Sequence, residues 1–134
     1  MRVPGWEAHL SAVIARHQSL PGVWGMSDCF IIADDAVTAL TGRVMFTKAR
    51  GYKTEIGAAR KLRSHGFANL REAFSSCFTE IPPVLMQRGD IGVIEIDGRF
   101  SGGVLTSIGF ATRPHGGPVV FVPQSQVTAA FKVE

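Results

Sequence analysis

The sequence has few cysteines, no long hydrophobic run and nearly balanced charge. Two cysteines in 134 residues do not build a disulfide framework, and neither stands in the closely spaced Cys and His pairs of a structural zinc site. No apolar run approaches the roughly 18–20 residues of a membrane-spanning helix, and the N-terminal segment lacks the apolar region of a signal peptide. We therefore expect no metal, no cofactor and no membrane span, and a protein made and kept in the cytoplasm until another component carries it out.

The charge is also too weak to indicate a nucleic-acid partner. Fourteen Lys and Arg against eleven Asp and Glu give a net charge of +3, and the basic residues are scattered. The densest basic stretch, residues 60–63, fits the solvated face of a helix. Hydrophobic residues make up 46% of the chain, which predicts one globular domain over residues 1–134.

Helical signals fill the first half of the chain and strand signals the second. Helices are predicted over 6–17, from Cys29 to Gly42, over 55–65 with Ile56, Ala59 and Leu62 inward, and after Asn69. Strands are predicted over 91–96, 100–112 and 119–122, with a hairpin turn at 97–98 and a second turn at 114–117. A last short helix is expected over 125–131. This order predicts an α+β fold in which N-terminal helices precede an antiparallel β-meander.

Cys29 is the main candidate for chemistry. It follows Ser27 and Asp28, either of which can cap the helix that starts there. The positive end of a helix stabilises a thiolate, and a nearby imidazole would accept the thiol proton. A cysteine at a helix start is also commonly a small buried apolar residue, so its neighbours decide.

The neighbours resemble a family of cell-wall enzymes. Residues 24–29, WGMSDC, followed by an apolar helix ending at 41–42, resemble the nucleophile segment of NlpC-type peptidoglycan peptidases. Residues 89–94, GDIGVI, resemble the Gly-Asp-hydrophobic strand that follows the helices in that family. The resemblance implies a papain-like, NlpC-like fold with Cys29 as the nucleophile.

The chain is more similar still to a small domain family encoded in the tail-gene modules of bacteriophages and prophages. The matching motifs are WGMSDC at 24–29, RGY at 50–52 (one residue shorter than the family's loop), LRSHGF at 62–67, QRGD at 87–90 and VP at 122–123. This resemblance implies a virion protein of the tail tip that passes through the host cytoplasm during assembly. Its implied partners are the tail hub or baseplate proteins, with peptidoglycan as a further partner, and it implies no nucleic-acid partner.

One departure from the peptidase pattern bears on activity. NlpC-type enzymes have their base histidine at the start of the strand after the Gly-Asp strand, and residues 102–105, GGVL, stand there in this chain. A third polar group, often histidine, follows about a dozen residues later, and that spacing from Gly103 reaches His115. The resemblance thus leaves Cys29 and His115 as catalytic candidates in a site that lacks its usual base.

The remaining candidates are weaker. Trp24 and Asp28 are candidates for substrate binding, although a core anchor and a helix cap explain them as well. We expect His9 and His17 to face solvent and His65 to complement the dipole at the end of its helix. Cys77 is expected to pack as a small apolar residue.

Three functions follow from these observations. The first is a tail-tip docking protein with a degenerate peptidase domain. The second is an active cysteine peptidase that cleaves host peptidoglycan when phage DNA enters the cell. The third is a tail assembly chaperone, present in the infected cell and absent from the particle.

Overall fold

The computed structural model describes residues 1–114 and 117–134, in which four α-helices precede a six-stranded antiparallel sheet. The fold is therefore α+β, as the sequence predicts. The helices are α1 (Trp6–Ser19), α2 (Cys29–Thr41), α3 (Glu55–Ser64) and α4 (Leu70–Cys77). The strands are β1 (Glu80–Ile81), β2 (Ile91–Ile96), β3 (Arg99–Thr106), β4 (Gly109–Thr112), β5 (Val120–Val122) and β6 (Ala129–Phe131).

Helix α2 is the centre of the core. Nine of its residues are buried, among them Ile32, Ala33, Ala36, Val37 and Leu40, each 0% exposed. Small side chains on this helix let α1 on one side and β3 on the other approach its backbone closely. The helix ends at Gly42, whose φ of 73° is the left-handed conformation that glycine adopts at low cost.

The structure confirms the helix cap predicted at Asn69 and shows a further one at Thr54. Asn69 caps α4 through the amide of Glu72, and Thr54 caps α3 through the amide of Gly57. At the end of α3, the amide of Phe67 bonds the carbonyl of Leu62 next to Gly66, as in a Schellman motif. These local hydrogen bonds set the lengths of the helices.

Helix α3 differs from its prediction. None of its residues is buried, and Ile56, expected to face inward, is 66% exposed. Leu62 and Ala59 are half-buried. The helix lies on the outside of the domain, since α2 and α4 are the helices that pack on the sheet, and Ile56 presents an apolar side chain to solvent.

The sheet has the strand order β1-β6-β2-β3-β4-β5. Asp97 and Gly98 join β2 to β3 with φ angles of 51° and 77°, which confirms the predicted hairpin turn. The strands β2 to β5 form a meander, but β6 lies between β1 and β2. The predicted pure meander is therefore wrong at this edge of the sheet.

Two predictions about the C-terminal half are wrong. The single strand expected over 100–112 is two strands, since the chain turns at Ser107 and Ile108 and β3 pairs with β4. The segment expected to be a helix, 125–131, contains the end of a short 3₁₀ helix and then β6. Pairing of Ala129–Phe131 with β2, and of Ala130 and Phe131 with β1, overrides the local helical preference of this segment.

Asp90, just before β2, ties the two ends of the chain to the sheet. Its Oδ1 accepts from Arg2 Nη2 and from the amide of Val133, each at 3.0 Å, and its Oδ2 accepts from the amide of Gln87 at 2.9 Å. Arg2 also donates through Nε to the carbonyl of Val133. The Gly-Asp motif thus has a structural role at this position.

None of the helices in the described part of the chain is long and apolar enough to cross a bilayer.

Candidate functional site

The loop before α2 holds Cys29 through the side chain of Asp28. Oδ1 of Asp28 accepts from the amides of Phe30 and Ile31, at 3.0 and 2.9 Å, and so caps the helix. Its Oδ2 accepts from the amide of Gly25 at 2.9 Å and from the hydroxyl of Tyr52 at 2.7 Å. Both oxygens are fully engaged and the residue is 5% exposed, so Asp28 organises the loop instead of facing a ligand.

A second loop, residues 43–54, closes over the first one. A Cβ on Gly25 would lie 2.1 Å from the carbonyl oxygen of Tyr52, so only glycine fits there. Arg50 anchors this loop to α2 by donating to Asp34 through Nε and to Asp35 through Nη2. The segment predicted as the RGY loop therefore braces the cysteine loop from outside.

The thiol of Cys29 is held in its neutral form. The residue is 9% exposed, and burial raises the pKa of Cys29; the charge of Asp28 adds to this, while backbone hydrogen bonds from Gly102 and Phe30 oppose it. The stabilisation of a thiolate by the start of α2 is thus smaller than the cost of burying its charge. At neutral pH this cysteine is a thiol.

A chain of hydroxyl groups leads away from that thiol. The Ser101 hydroxyl lies beside the Cys29 side chain, where it acts to lower the pKa of the thiol, and its Oγ lies 3.0 Å from Oγ1 of Thr112. Thr112 donates its only hydrogen to the carbonyl of Gly102 at 2.7 Å, so Ser101 must donate to Thr112. These hydroxyls end at a backbone carbonyl, and neither of them takes up a proton at neutral pH.

The glycines expected to replace the base histidine are packed tightly. A Cβ on Gly102 would lie 2.7 Å from Leu70 and 3.0 Å from the carbonyl oxygen of Cys29. A Cβ on Gly103 would lie 2.2 Å from the carbonyl oxygen of Ala111. Neither position has room for an imidazole, and the side chain that β3 presents to the thiol is Ser101. Sequence reasoning missed Ser101 and Thr112.

A groove of about 740 Å³ leads to Cys29 from the surface, within the size range of ligand sites. Helix α3 forms one wall, the start of α4 another, and the β2–β3 hairpin a third. Its lining includes Trp24, Phe30, Tyr52, Leu70 and Phe100, with Glu55, Arg63 and Arg99 as the charged residues. Glu55 and Arg99 form an ion pair between the helix and the hairpin.

Trp24 lies in the wall of this groove and is half-buried. Its ring meets that of Tyr52 edge to face, with centroids 6.5 Å apart. Trp24 therefore contacts both the core and the groove, which is compatible with a core anchor and with a substrate-binding residue.

The histidines divide into four cases. His115, the candidate base, lies outside the described residues. His9 is exposed on α1, and the exposed His65 bonds the carbonyl of Lys48 through Nε2 at 3.0 Å. His17 was expected to face solvent and is 0% exposed, so that prediction is wrong.

His17 is buried because it lies at the centre of a polar network. Its Nδ1 is 2.6 Å from Oγ of Ser27 and its Nε2 is 2.7 Å from Oδ2 of Asp35. The Asp35 carboxylate only accepts, so Nε2 donates to it, and Arg113 donates to Ser27 Oγ. Arg113 also donates to the carbonyls of His17 and Leu20, which fastens the end of α1 to the sheet.

That network resembles a Ser-His-Asp triad in composition only. Ser27 is 1% exposed, and its oxygen already accepts a hydrogen bond from Arg113. No substrate atom reaches it in this arrangement, so its role is to stabilise the fold.

Cys77 also departs from its prediction. It is exposed and lines a second groove of about 480 Å³, together with Val44, Phe46, Phe67 and Ala73. Within residues 1–114 and 117–134, neither cysteine belongs to a group of three or more metal-ligating side chains.

Comparison with known proteins gives a family and no relative of known function. No curated protein and no solved structure matches the chain. The family model described as a domain of unknown function (DUF6950) matches residues 1–133, and the chain therefore belongs to that family.

Proposed function

We propose that this domain is a docking protein of a bacteriophage tail tip, associated with the hub or baseplate, with a papain-like, peptidase-derived site that does not turn over substrate. The observation that carries the proposal is the setting of Cys29, which is buried beside Ser101, a hydroxyl that is linked through Thr112 to the Gly102 carbonyl and is not a base at neutral pH. A groove reaches the cysteine, as a peptidase would need. Within residues 1–114 and 117–134, the hydroxyls that β3 and β4 bring towards this thiol do not take up its proton at neutral pH.

The chemistry explains why such a site is inert. Attack by a thiol requires the thiolate, and departure of an amine requires a proton donor. Burial raises the pKa of Cys29, which leaves the thiolate scarce at neutral pH. Ser101 neither accepts that proton at neutral pH nor returns one to a leaving group. What remains is a shaped groove suited to binding.

The assignment to a tail tip rests on the motif resemblance described above, from WGMSDC at 24–29 to VP at 122–123. The order of the elements, helices and then an antiparallel sheet beside the cysteine helix, supports a papain-like fold. Fold alone does not decide function, so the inactive site and the location in the tail tip need separate tests.

Activity is tested on dye-labelled purified murein, with the protein and its Cys29→Ala variant side by side and lysozyme as the positive control. We expect no release of soluble dye by either form. Release by the unaltered protein that is lost in Cys29→Ala would overturn the proposal.

Location is tested by mass spectrometry of purified particles from the phage or induced prophage that carries the gene. We expect the protein in the particle at a fixed ratio to the tail proteins. Presence in infected cells together with absence from particles would instead establish the tail assembly chaperone.

A second candidate, an active peptidase, is favoured by one observation, the groove that opens onto a cysteine at a helix start. Among the residues of this chain, it requires His115 as the base. His115→Ala would then abolish murein hydrolysis as completely as Cys29→Ala.

A further inference from the structure

The groove over Cys29 has a cationic wall. On α3, Ile56, Arg60 and Arg63 follow the spacing i, i+4, i+7, which aligns them along one exposed helix face. Ile56 and Arg63 line the groove. In the described part of the chain, neither Arg60 nor Arg63 forms an ion pair with an acidic side chain.

The opposite wall carries a third arginine. Arg99, at the start of β3, is 77% exposed in its side chain and pairs with Glu55 across the groove. An exposed pair of this kind contributes only about 0–1 kcal/mol, so a carboxylate from a ligand can replace Glu55 at little cost. Among the residues that line the groove, Glu55 is acidic and Arg63 and Arg99 are basic. The lining therefore has a net positive charge.

The floor between these walls is apolar. Ile56 is 66% exposed and lines the groove together with Trp24, Leu70 and Phe100. Its exposure leaves an apolar contact surface beside the arginines. A ligand that matches the groove must bring an apolar side chain to this floor and carboxylates to the arginines.

We propose that the groove binds an extended segment of a partner protein in which an apolar residue is flanked by acidic side chains. This inference rests on the proposed docking function and names the chemistry of the partner segment. The apolar residue occupies the floor above Cys29, and the carboxylates pair with Arg63 and Arg99. Arg60 adds to the attraction from the same helix face.

The test uses two fluorescein-labelled peptides that share a Leu-Phe centre, one flanked by glutamates and one by lysines. Binding is followed by fluorescence anisotropy at low and high salt. We expect the glutamate peptide alone to bind, and its affinity to fall as salt rises. Equal binding of both peptides, or of neither, contradicts the proposal.

Variants locate the binding site. We expect Arg63→Glu to weaken binding of the glutamate peptide about tenfold, because the substitution exchanges an attraction for a repulsion. Ile56→Asp should weaken it by a similar factor. Ile108→Asp is the matched control, since Ile108 is an exposed isoleucine, 72% accessible, that lies outside this groove. Equal loss in Ile56→Asp and Ile108→Asp overturns the proposed site.

Alkylation gives a readout at the floor of the groove. Bound glutamate peptide should slow alkylation of Cys29 and leave Cys77, in the second groove, unaffected. Unchanged Cys29 alkylation at saturating peptide excludes the groove as the site.

The two proposals fail in different ways. Peptide cleavage that depends on Cys29 would overturn the proposal that the site is inactive. If the glutamate peptide does not bind and murein is not hydrolysed, only the proposal that the groove binds an acidic segment would be overturned. Binding of soluble muropeptides without binding of the glutamate peptide would identify a cell-wall ligand and overturn the protein partner.

Discussion

Tyr52 donates its phenolic hydrogen to Oδ2 of Asp28 across 2.7 Å, where the 43–54 loop covers the start of α2. The bond joins two segments that are far apart in sequence and completes the set of donors around a buried carboxylate. It therefore couples the loop to the position of the cysteine.

Removal of this bond should cost stability. We expect Tyr52→Phe to lower the free energy of unfolding by about 1–3 kcal/mol, because Asp28 stays buried with one donor fewer. Urea denaturation measures the change. Ser64→Ala, which removes an exposed hydroxyl bonded to the Lys61 carbonyl, is the control and should change stability by less than about 0.5 kcal/mol. Equal stability of Tyr52→Phe and the unaltered protein would show that the bond has no net effect.

The same pair predicts a response to alkaline pH. Burial raises the pKa of Tyr52, and the negative charge of Asp28 adds to the rise. Stability from the neutral phenol is complete below the unfolded pKa of about 10 and is lost as the pH rises above it. Tyr52 is the sole tyrosine of the sequence, so phenolate absorbance reports on it directly. We expect no phenolate signal until the protein unfolds; titration of the folded protein near pH 10 would contradict this.

The two cysteines should differ in reactivity. We expect iodoacetamide to modify the exposed Cys77 first and the buried Cys29 much more slowly, and burial raises the pKa of Cys29. Mass spectrometry of tryptic peptides over time separates the two. Rapid modification of Cys29 at neutral pH would indicate an activated thiolate and favour the peptidase.

Adjacent aspartates in α2 should respond differently to substitution. Burial acts to raise the pKa of Asp35, but hydrogen bonds from His17, Arg50 and Arg16 outweigh it and hold the pKa well below the usual range. Burial raises the pKa of Asp34 despite Arg50, and its Oδ1 accepts no hydrogen bond from the described residues. We therefore expect Asp35→Asn to destabilise the protein by about 1–3 kcal/mol and Asp34→Asn by less.

Acid titration tests this assignment. A carboxylate with a lowered pKa stabilises the fold above its unfolded pKa of about 3.9, and that contribution is lost as the pH falls below it. The stability difference between the unaltered protein and Asp35→Asn should therefore shrink from about pH 6 to about pH 3. A difference that stays constant would assign the effect to packing.

Gly25 offers a test of the close contact between the two loops. Gly25→Ala combines a positive φ of 86° with a Cβ placed 2.1 Å from the Tyr52 carbonyl oxygen. Gly66→Ala has the same backbone strain, at a φ of 88°, with nothing within 4 Å of its Cβ. We expect about 1 kcal/mol of destabilisation at Gly66 and at least about 2 kcal/mol at Gly25, measured by thermal and urea unfolding. Equal effects would show that the loops separate easily.

The parts of the fold that the sequence predicts are those determined by neighbouring residues. The start of α2 at Asp28, its end at Gly42 and the hairpin at Asp97 each depend on hydrogen bonds or φ angles within a few residues. The strand β6 was predicted as a helix because its conformation depends on pairing with β1 and β2, which no local pattern reports.

The site was predictable to the same extent. Cys29 could be found because a cap and an apolar helix surround it. Ser101 and Thr112 could not, since hydroxyl residues in strands are common and their approach to the thiol follows from how β3 and β4 pair. For His17 a signal existed: it continues the spacing of Leu10, Val13 and Ile14 on the buried face of α1.

The hydrogen bonds of Asp90 to Arg2 and Val133 have a consequence for engineering. Because Arg2 and Val133 meet at one buried carboxylate that does not line the groove, a short linker between them should leave the groove undisturbed. A circular permutant opened at the exposed turn of Ser107 and Ile108, which lies outside the groove, should therefore fold, and the domain should tolerate insertion into a surface loop of a larger protein.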